Sequence, residues 1–255
     1  MTARAAPPAA PPSVTVHARG PFQAGGVVIL DEDEANHLKV RRVADGDAVR
    51  LVDGRGGIAT ARVARDKDVV AVRVVATTMV PAPPATEAWV GAGDRDRFLG
   101  VIEKATELGA TRVLPLITER SQQVATRFQA AHIEKALKRA REAIKQCGAA
   151  WAPAVGSPLP LRDALREALR GGAARAIRLL ADPDGGLMPA IRESDAVQWA
   201  IGPEGGFTDA ELGALRTAGF RPVALGRAVL RFDTATLAAL ALTAQARLGT
   251  PLHGS

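Results

Sequence analysis

The sequence predicts an α/β domain with a mainly parallel sheet, preceded by a smaller all-β barrel. Three observations carry this reading. Residues 14–78 hold short strand-like runs punctuated by turn residues. A proline-rich stretch, Met79-Val-Pro-Ala-Pro-Pro-Ala-Thr86, then breaks the pattern. Beyond it, short apolar runs alternate with segments of helical period, the signature of strands alternating with helices.

In the first part the runs are VVIL (27–30), DAVRLVD (47–53), GIATARVA (57–64) and VVAVRVVA (69–76). Gly46, Asp53-Gly54 and Asp66-Lys67 supply the turns. Strands so spaced suit a small barrel over residues 14–78. Residues 79–86 form a stiff linker. Residues 1–13, rich in Ala and Pro, lack the continuous apolar core of a secretory signal and are expected to be a disordered tail.

In the second part, residues 87–255, a strand is expected at 88–91 and a helix at 95–108, ended by Gly109. A strand follows at 112–117. Residues 128–147 form an amphipathic helix with Ile133, Leu137, Ala140, Ile144 and Cys147 on its apolar face, so Cys147 is expected in the core. Strands at 176–180, 197–201 and 222–225 and helices at 208–218 and 234–248 complete the pattern.

Composition narrows the function. Thirty-three Lys and Arg against 27 Asp and Glu give a net charge of +6, which favours a polyanionic partner. One cysteine rules out an internal disulfide and every multi-cysteine zinc pattern. The four histidines show no ligand spacing, so no metal site is expected. The longest apolar stretch near the C-terminus, 237–242, is too short to span a bilayer, and a cytoplasmic protein is expected.

In open α/β sheets ligands sit beyond the carboxyl ends of strands. Three such ends carry loop chemistry here: LLADPDGG (179–186), IGPEGG (201–206) and ALGRAVLRFDTA (224–235). Phosphate fingerprints fail. There is no GxxxxGK[ST], and the one GxGxxA match, Gly54 to Ala59, lies in an expected hairpin. No GxSxG elbow is present. Thr208 and Glu211 form a capping box, which satisfies that helix start internally. The glycines of IGPEGG therefore suggest either a tight backbone wall around an uncharged or flat ligand, or a plain strand-to-helix turn. In the last loop Asp233 is a candidate both for a helix cap, with Thr234 as its rival, and for catalysis. Arg231, flanked by Leu230 and Phe232, calls for a partner.

IGPEGGFTDAEL (201–212), LGRAVLRFDTATLAAL (225–240) and EKATELGATRVLPLITERS (103–121) closely resemble the 16S rRNA uracil-N3 methyltransferase family of the SPOUT class. HLKVRRVADGDAVRLVDGRGG (37–57) resembles the start of that family's PUA-like barrel. The resemblance covers about 14–248 and implies a trefoil-knotted α/β domain with an N-terminal PUA-like domain. It implies an S-adenosylmethionine pocket built by Leu180, Ala181, Gly202, Pro203, Glu204, Gly205, Gly206, Leu225, Gly226 and Leu230. It also implies a homodimer acting on 16S rRNA in the small ribosomal subunit. The family segment that commonly reads LRTET is here Leu230-Arg231-Phe232-Asp233-Thr234, with a phenyl ring for a hydroxyl and a shorter acid. Where an arginine commonly follows the Gln of EAIKQCGAAWAP (142–153), Ala149 or Ala150 stands near it.

Uridine N3 carries a proton at neutral pH, and its loss spreads negative charge onto the flanking carbonyl oxygens. A fixed cation would lower that barrier, and Arg231 is the candidate. Asp233, Glu204 or a water would take the proton. In the barrel His37, Lys39, Arg41 and Arg42, and in the second domain Arg120, are candidate RNA contacts. Phe22 is the barrel's one aromatic, so shape and backbone recognition is expected over base stacking. Methylation at another base or ribose position, a catalytically silent ribosome-assembly protein and a small-molecule binding module remain open from sequence.

Overall fold

The computed structural model describes residue 12 and residues 14–66, 69–91, 93–121, 130–170 and 176–248. Apart from Pro12, the expected tail lies outside them, as do the first two residues of the helix expected at 128–147. Packing divides the chain into two compact units, Met1–Pro81 and Ala82–Ser255.

The first unit is a five-stranded sheet in the order β1-β3-β4-β5-β2. Its strands are β1 (Thr15–His17), β2 (Val27–Ile29), β3 (Ala48–Val52), β4 (Gly57–Asp66) and β5 (Val69–Met79). Strand alternation builds its core: Ala59, Ala61 and Val63 of β4 face Val72 and Val74 of β5 and Val49 and Leu51 of β3. The GxGxxA match is indeed the β3–β4 turn. Asp53 accepts the amides of Arg55 at 2.7 Å and Gly57 at 2.8 Å, and Gly54 and Gly56 take positive φ.

The unit is not all-β. Helix α1 (Glu32–Val40) runs through the HLKV motif, capped by Asp31, whose side chain accepts from the Glu34 amide at 2.9 Å. Leu38 seals it to the sheet core. Three acids in nine residues hid this helix from a search for apolar period; the cap and the acidic first turn were its signals.

The second unit is a seven-stranded sheet whose pairings are all parallel among the described residues, with a main path β12-β10-β11-β6-β7-β8 and β9 beside β7. The strands are β6 (Thr86–Gly91), β7 (Arg112–Ile117), β8 (Ala154–Val155), β9 (Leu159–Pro160), β10 (Ile177–Gly186), β11 (Val197–Ile201) and β12 (Arg221–Val223). Helices α2 (Arg95–Glu107), α3 (Ala130–Cys147) and α6 (Phe232–Arg247) cover one face. Helices α4 (Leu161–Arg170) and α5 (Asp209–Thr217) cover the other.

Strand alternation sorts the two cores. Ala88 and Val90 of β6 and Val197, Trp199 and Ile201 of β11 face α2 and α6. Trp89, Leu114, Leu116 and Ala200 face α4 and α5, where the Trp89 and Phe220 rings lie 5.5 Å apart. The indole N–H of Trp199 donates to the Thr243 hydroxyl at 2.9 Å, so this buried ring keeps its hydrogen bond. At the far end of α6, Arg247 donates to the carbonyls of Pro84, Ala85 and Asp195 and to the Thr86 hydroxyl, fastening the last helix to the entry of β6. Burial pushes its guanidinium below the ordinary arginine value.

Several expectations are corrected. Cys147, expected in the core, is exposed at the C-terminal end of α3. Ala140 and Ile144 are buried as expected, but Leu137, placed on the same face, is 37% exposed, and Ala136 and Ala143 pack inward beside them. The face has rotated toward small residues that let α3 approach α2 closely. The strand expected to end at Leu180 continues to Gly186, but residues 182–185 loop out, since Ala181 and Gly186 both pair with Val223. Gly185 is required there: a Cβ on it would lie 2.4 Å from the Val223 nitrogen. The last helix begins at Phe232, so its cap position is Arg231, and neither Asp233 nor Thr234 caps it.

Candidate functional site

The three expected loops do meet. They enclose a cavity of about 270 Å³ at the carboxyl ends of β10, β11 and β12. Ala181, Asp182 and Pro183 contribute from the β10 bulge, Ile201–Glu204, Gly206 and Phe207 from the loop after β11, and Leu225, Gly226 and Ala228–Leu230 from the loop after β12. Phe232 and Ala235 of α6 and Leu212 of α5 close it.

Each wall has a local reason. Pro203 and Gly206 close a tight turn, the Gly206 amide donating to the Pro203 carbonyl at 2.8 Å, with Gly206 at φ +71°. Helix α5 then starts at once. Thr208 accepts from the Glu211 amide at 3.3 Å while Glu211 accepts from the Thr208 amide at 2.9 Å, the capping box read from sequence. The other Glu211 oxygen accepts from the Glu119 amide at 2.8 Å, tying α5 to the turn after β7.

Below this loop the end of β6 passes in near contact. A Cβ at Gly91 would lie 2.4 Å from the Pro203 nitrogen, and one at Gly93 would lie 2.6 Å from both Glu204 Oε2 and the Phe232 ring. Those two glycines let strand and loop touch. Glu204 is exposed, its carboxylate over Gly93 and beside the edge of Phe232.

Of the ten residues expected to hold the cofactor, eight line the cavity: Ala181, Gly202, Pro203, Glu204, Gly206, Leu225, Gly226 and Leu230. Leu180 faces the core on the α4–α5 side. Gly205 turns away toward Arg120, whose guanidinium donates to the Gly205 carbonyl at 2.7 Å and the Phe207 carbonyl at 3.4 Å. Arg120, expected at RNA, is therefore also a brace behind the loop.

Arg231 and Asp233 stand at the cavity's edge, flanking Phe232. The Arg231 Nε lies 3.9 Å from Asp233 Oδ1, and its side chain is 64% exposed. Arg97 reaches the other Asp233 oxygen at 3.5 Å. Sequence reasoning missed Arg97, Asp182, Phe207 and Phe232 as site residues. Phe207 and Phe232 are also buried in the core, and Arg97 lies on a distant helix with no motif to mark it. In the first unit His37 and Lys39 occupy the last turn of α1, and Arg41 and Arg42 follow it, exposed, with Arg42 at φ 54°.

The lining is mostly backbone and apolar carbon, with acids and no basic side chain. That suits a ligand that is neutral or cationic rather than a phosphate. No group of three or more His, Cys, Asp or Glu residues able to hold a metal occurs among the described residues. No helix among them is long and apolar enough to cross a membrane.

Comparison with known proteins agrees with this geometry. Residues 83–244 match the model of the RNA methyltransferase domain, and residues 30–75 match the RNA methyltransferase PUA domain. The chain is 32% identical over 227 residues to the ribosomal RNA small subunit methyltransferase E of Mycobacterium bovis, covering 85% of each chain. It superposes with a TM-score of 0.80 on the enzyme of that name from Neisseria gonorrhoeae bound to S-adenosylmethionine, at 27% identity, covering 92% of this chain and 98% of that one. A Legionella pneumophila protein solved with the same cofactor gives the same TM-score and coverage at 28% identity. An α/β methyltransferase domain joined to a PUA domain is thus the fold, and the chain belongs to the RNA methyltransferase family.

Proposed function

We propose that this protein methylates N3 of a uridine in 16S rRNA of the small ribosomal subunit, using S-adenosylmethionine. The observation that carries the reading is the convergence of three strand-end loops on one backbone-lined cavity with Arg231 and Asp233 at its edge. The cavity residues fit the cofactor: close-packed glycines leave amides and carbonyls for a neutral purine and ribose, and no cationic side chain lines the cavity to oppose a sulfonium. Gly202, Pro203, Gly206, Leu225, Gly226 and Leu230 would hold it. When bound, the cofactor supplies a methyl group on a positively charged sulfur, a good electrophile without metal help.

The chain's own residues then have two tasks. Arg231 neutralises the charge that appears on a uracil carbonyl oxygen when N3 loses its proton. Asp233, Glu204 or a water held by them takes that proton. The new N3–carbon bond replaces the sulfur–carbon bond, and the remaining catalysis is positioning.

His37, Lys39, Arg41 and Arg42 of the first unit serve as phosphate contacts on the rRNA, sequence-independent and salt-sensitive. The reading extends to a trefoil knot in the α/β unit, a cytoplasmic location and a homodimer. Val229, which lines the cavity and is 83% exposed, supports a covering subunit there.

The test uses small subunits from cells lacking this modification, incubated with the protein and labelled S-adenosylmethionine. The rRNA is digested and the labelled nucleoside identified by mass spectrometry. 3-Methyluridine is the expected product. Another methylated nucleoside overturns the target, and RNA binding without label overturns the enzymatic reading for this RNA.

A further inference from the structure

We propose that Arg97 is a positioning residue for methyl transfer, acting through Asp233 to aim the Arg231 guanidinium at the substrate. This rests on the role given to Arg231 above.

Arg231 needs a restraint. Its side chain is 64% exposed, and a long exposed side chain visits many rotamers. The carboxylate it meets is held from several directions. Asp233 Oδ1 accepts the Thr234 amide at 2.9 Å and lies 3.9 Å from Arg231 Nε. Oδ2 lies 3.5 Å from an Arg97 nitrogen. Asp233 also sits in the first turn of α6, where free amides favour an anion and where the cap residue Arg231 makes no side-chain cap hydrogen bond.

Arg97 is the better anchored of the two cations, its side chain 40% exposed against 64% for Arg231. It is in the first turn of α2, whose start is pinned by Asp94 accepting the Arg97 amide at 2.9 Å. The buried face of that helix packs into the core through Phe98, Val101 and Ile102. Between Arg231 and Asp233, the Phe232 ring is buried against Gly93 and fixes the backbone from which both side chains leave. The relay Arg97–Asp233–Arg231 therefore links a packed helix to the exposed head group at the cavity's edge.

Where the LRTET segment carries a glutamate this chain has Asp233, and Arg97 approaches it from α2 at 3.5 Å.

The test compares Arg97→Ala, Arg97→Lys, Asp233→Asn and the Arg97→Ala/Asp233→Asn double variant in the full chain saturated with S-adenosylmethionine. The first readout is the Arg231 Nε–Hε signal by NMR without RNA. Arg97→Ala is expected to shift or broaden it as Asp233→Asn does, and Arg97→Lys to restore it in part. The second readout is turnover on small subunits. Arg97→Ala lowers kcat about fivefold with cofactor affinity and KM little changed, and the double variant is no slower than Asp233→Asn alone. An unmoved Arg231 signal, wild-type kcat, effects that multiply, or a parallel loss of cofactor affinity each overturn the proposal. Absence of 3-methyluridine from the wild-type reaction would instead overturn the functional reading, while the Arg231 signal still decides whether the relay exists.

Discussion

Arg120 places a guanidinium nitrogen 2.7 Å from the carbonyl oxygen of Gly205, 85 residues further along the chain. The same nitrogen lies 3.4 Å from the Phe207 carbonyl, so one side chain after β7 braces both flanks of the Gly206 turn. A Cβ at Gly205 would lie 3.3 Å from the Arg120 Cβ, which shows how closely the two backbones approach. Together with the Glu211 contact to the Glu119 amide, this makes the turn after β7 a support for the cavity wall.

Removing that brace should loosen the wall without touching the lining. Arg120→Ala is expected to weaken S-adenosylmethionine binding about tenfold, the order expected when a charged donor to a carbonyl is lost. Titration calorimetry measures it. Unchanged cofactor affinity with weakened RNA binding would make Arg120 an RNA contact only.

Gly91 has no room for a side chain. Gly91→Ala would put a methyl group 2.4 Å from the Pro203 nitrogen and 2.9 Å from the Gly202 carbonyl carbon. The expected result is destabilisation of about 1–3 kcal/mol together with loss of cofactor binding, since the clash falls on the cavity wall. Denaturant unfolding and calorimetry on the same sample check both. Wild-type stability and affinity would mean that the wall shifts freely.

Arg231→Ala should leave cofactor affinity near wild type, because the side chain is exposed at the rim rather than part of the lining. Turnover should fall about 10²–10³-fold, the range for removing one charge-stabilising group. Single-turnover assays with small subunits separate chemistry from product release. Near-normal turnover would remove Arg231 from the mechanism.

Thr243→Val tests the core instead of the site. It keeps the shape but leaves the buried Trp199 N–H without its acceptor, at a cost of about 1–3 kcal/mol. Urea unfolding should show a lower midpoint and an unchanged slope.

In the first unit, Lys39→Ala and Arg41→Ala should each reduce the salt dependence of RNA binding by about one unit of slope, whatever the RNA sequence. Binding measured from low to physiological salt reports it. A slope unchanged in both variants would place the RNA elsewhere.

The sequence displays the strands and helices whose signal is local. β6, β7 and β11 are short apolar runs, α2 has its glycine stop at Gly109, and α5 carries its own capping box at Thr208 and Glu211. It also marked the three loops, because glycine and proline punctuation after a strand is visible without coordinates. Helix α1 was missed, and the start of α6 was legible only in part. Their acids and caps compete with apolar period, and Asp233, a plausible cap by type, sits inside the helix.

What the loops face depends on packing. Leu180 and Ala181 are adjacent in a strand, so one enters the core on the α4–α5 side while the other lines the cavity. Gly205 and Gly206 are adjacent in a turn, and only the second reaches the cavity. Arg97 and Asp233 lie 136 positions apart, and only the packing of α2 against α6 brings their charges to 3.5 Å. Local chemistry sets which segments turn, extend or coil. Which side chains meet across them is fixed by the close packing of two helical layers on one sheet, a property of the whole domain.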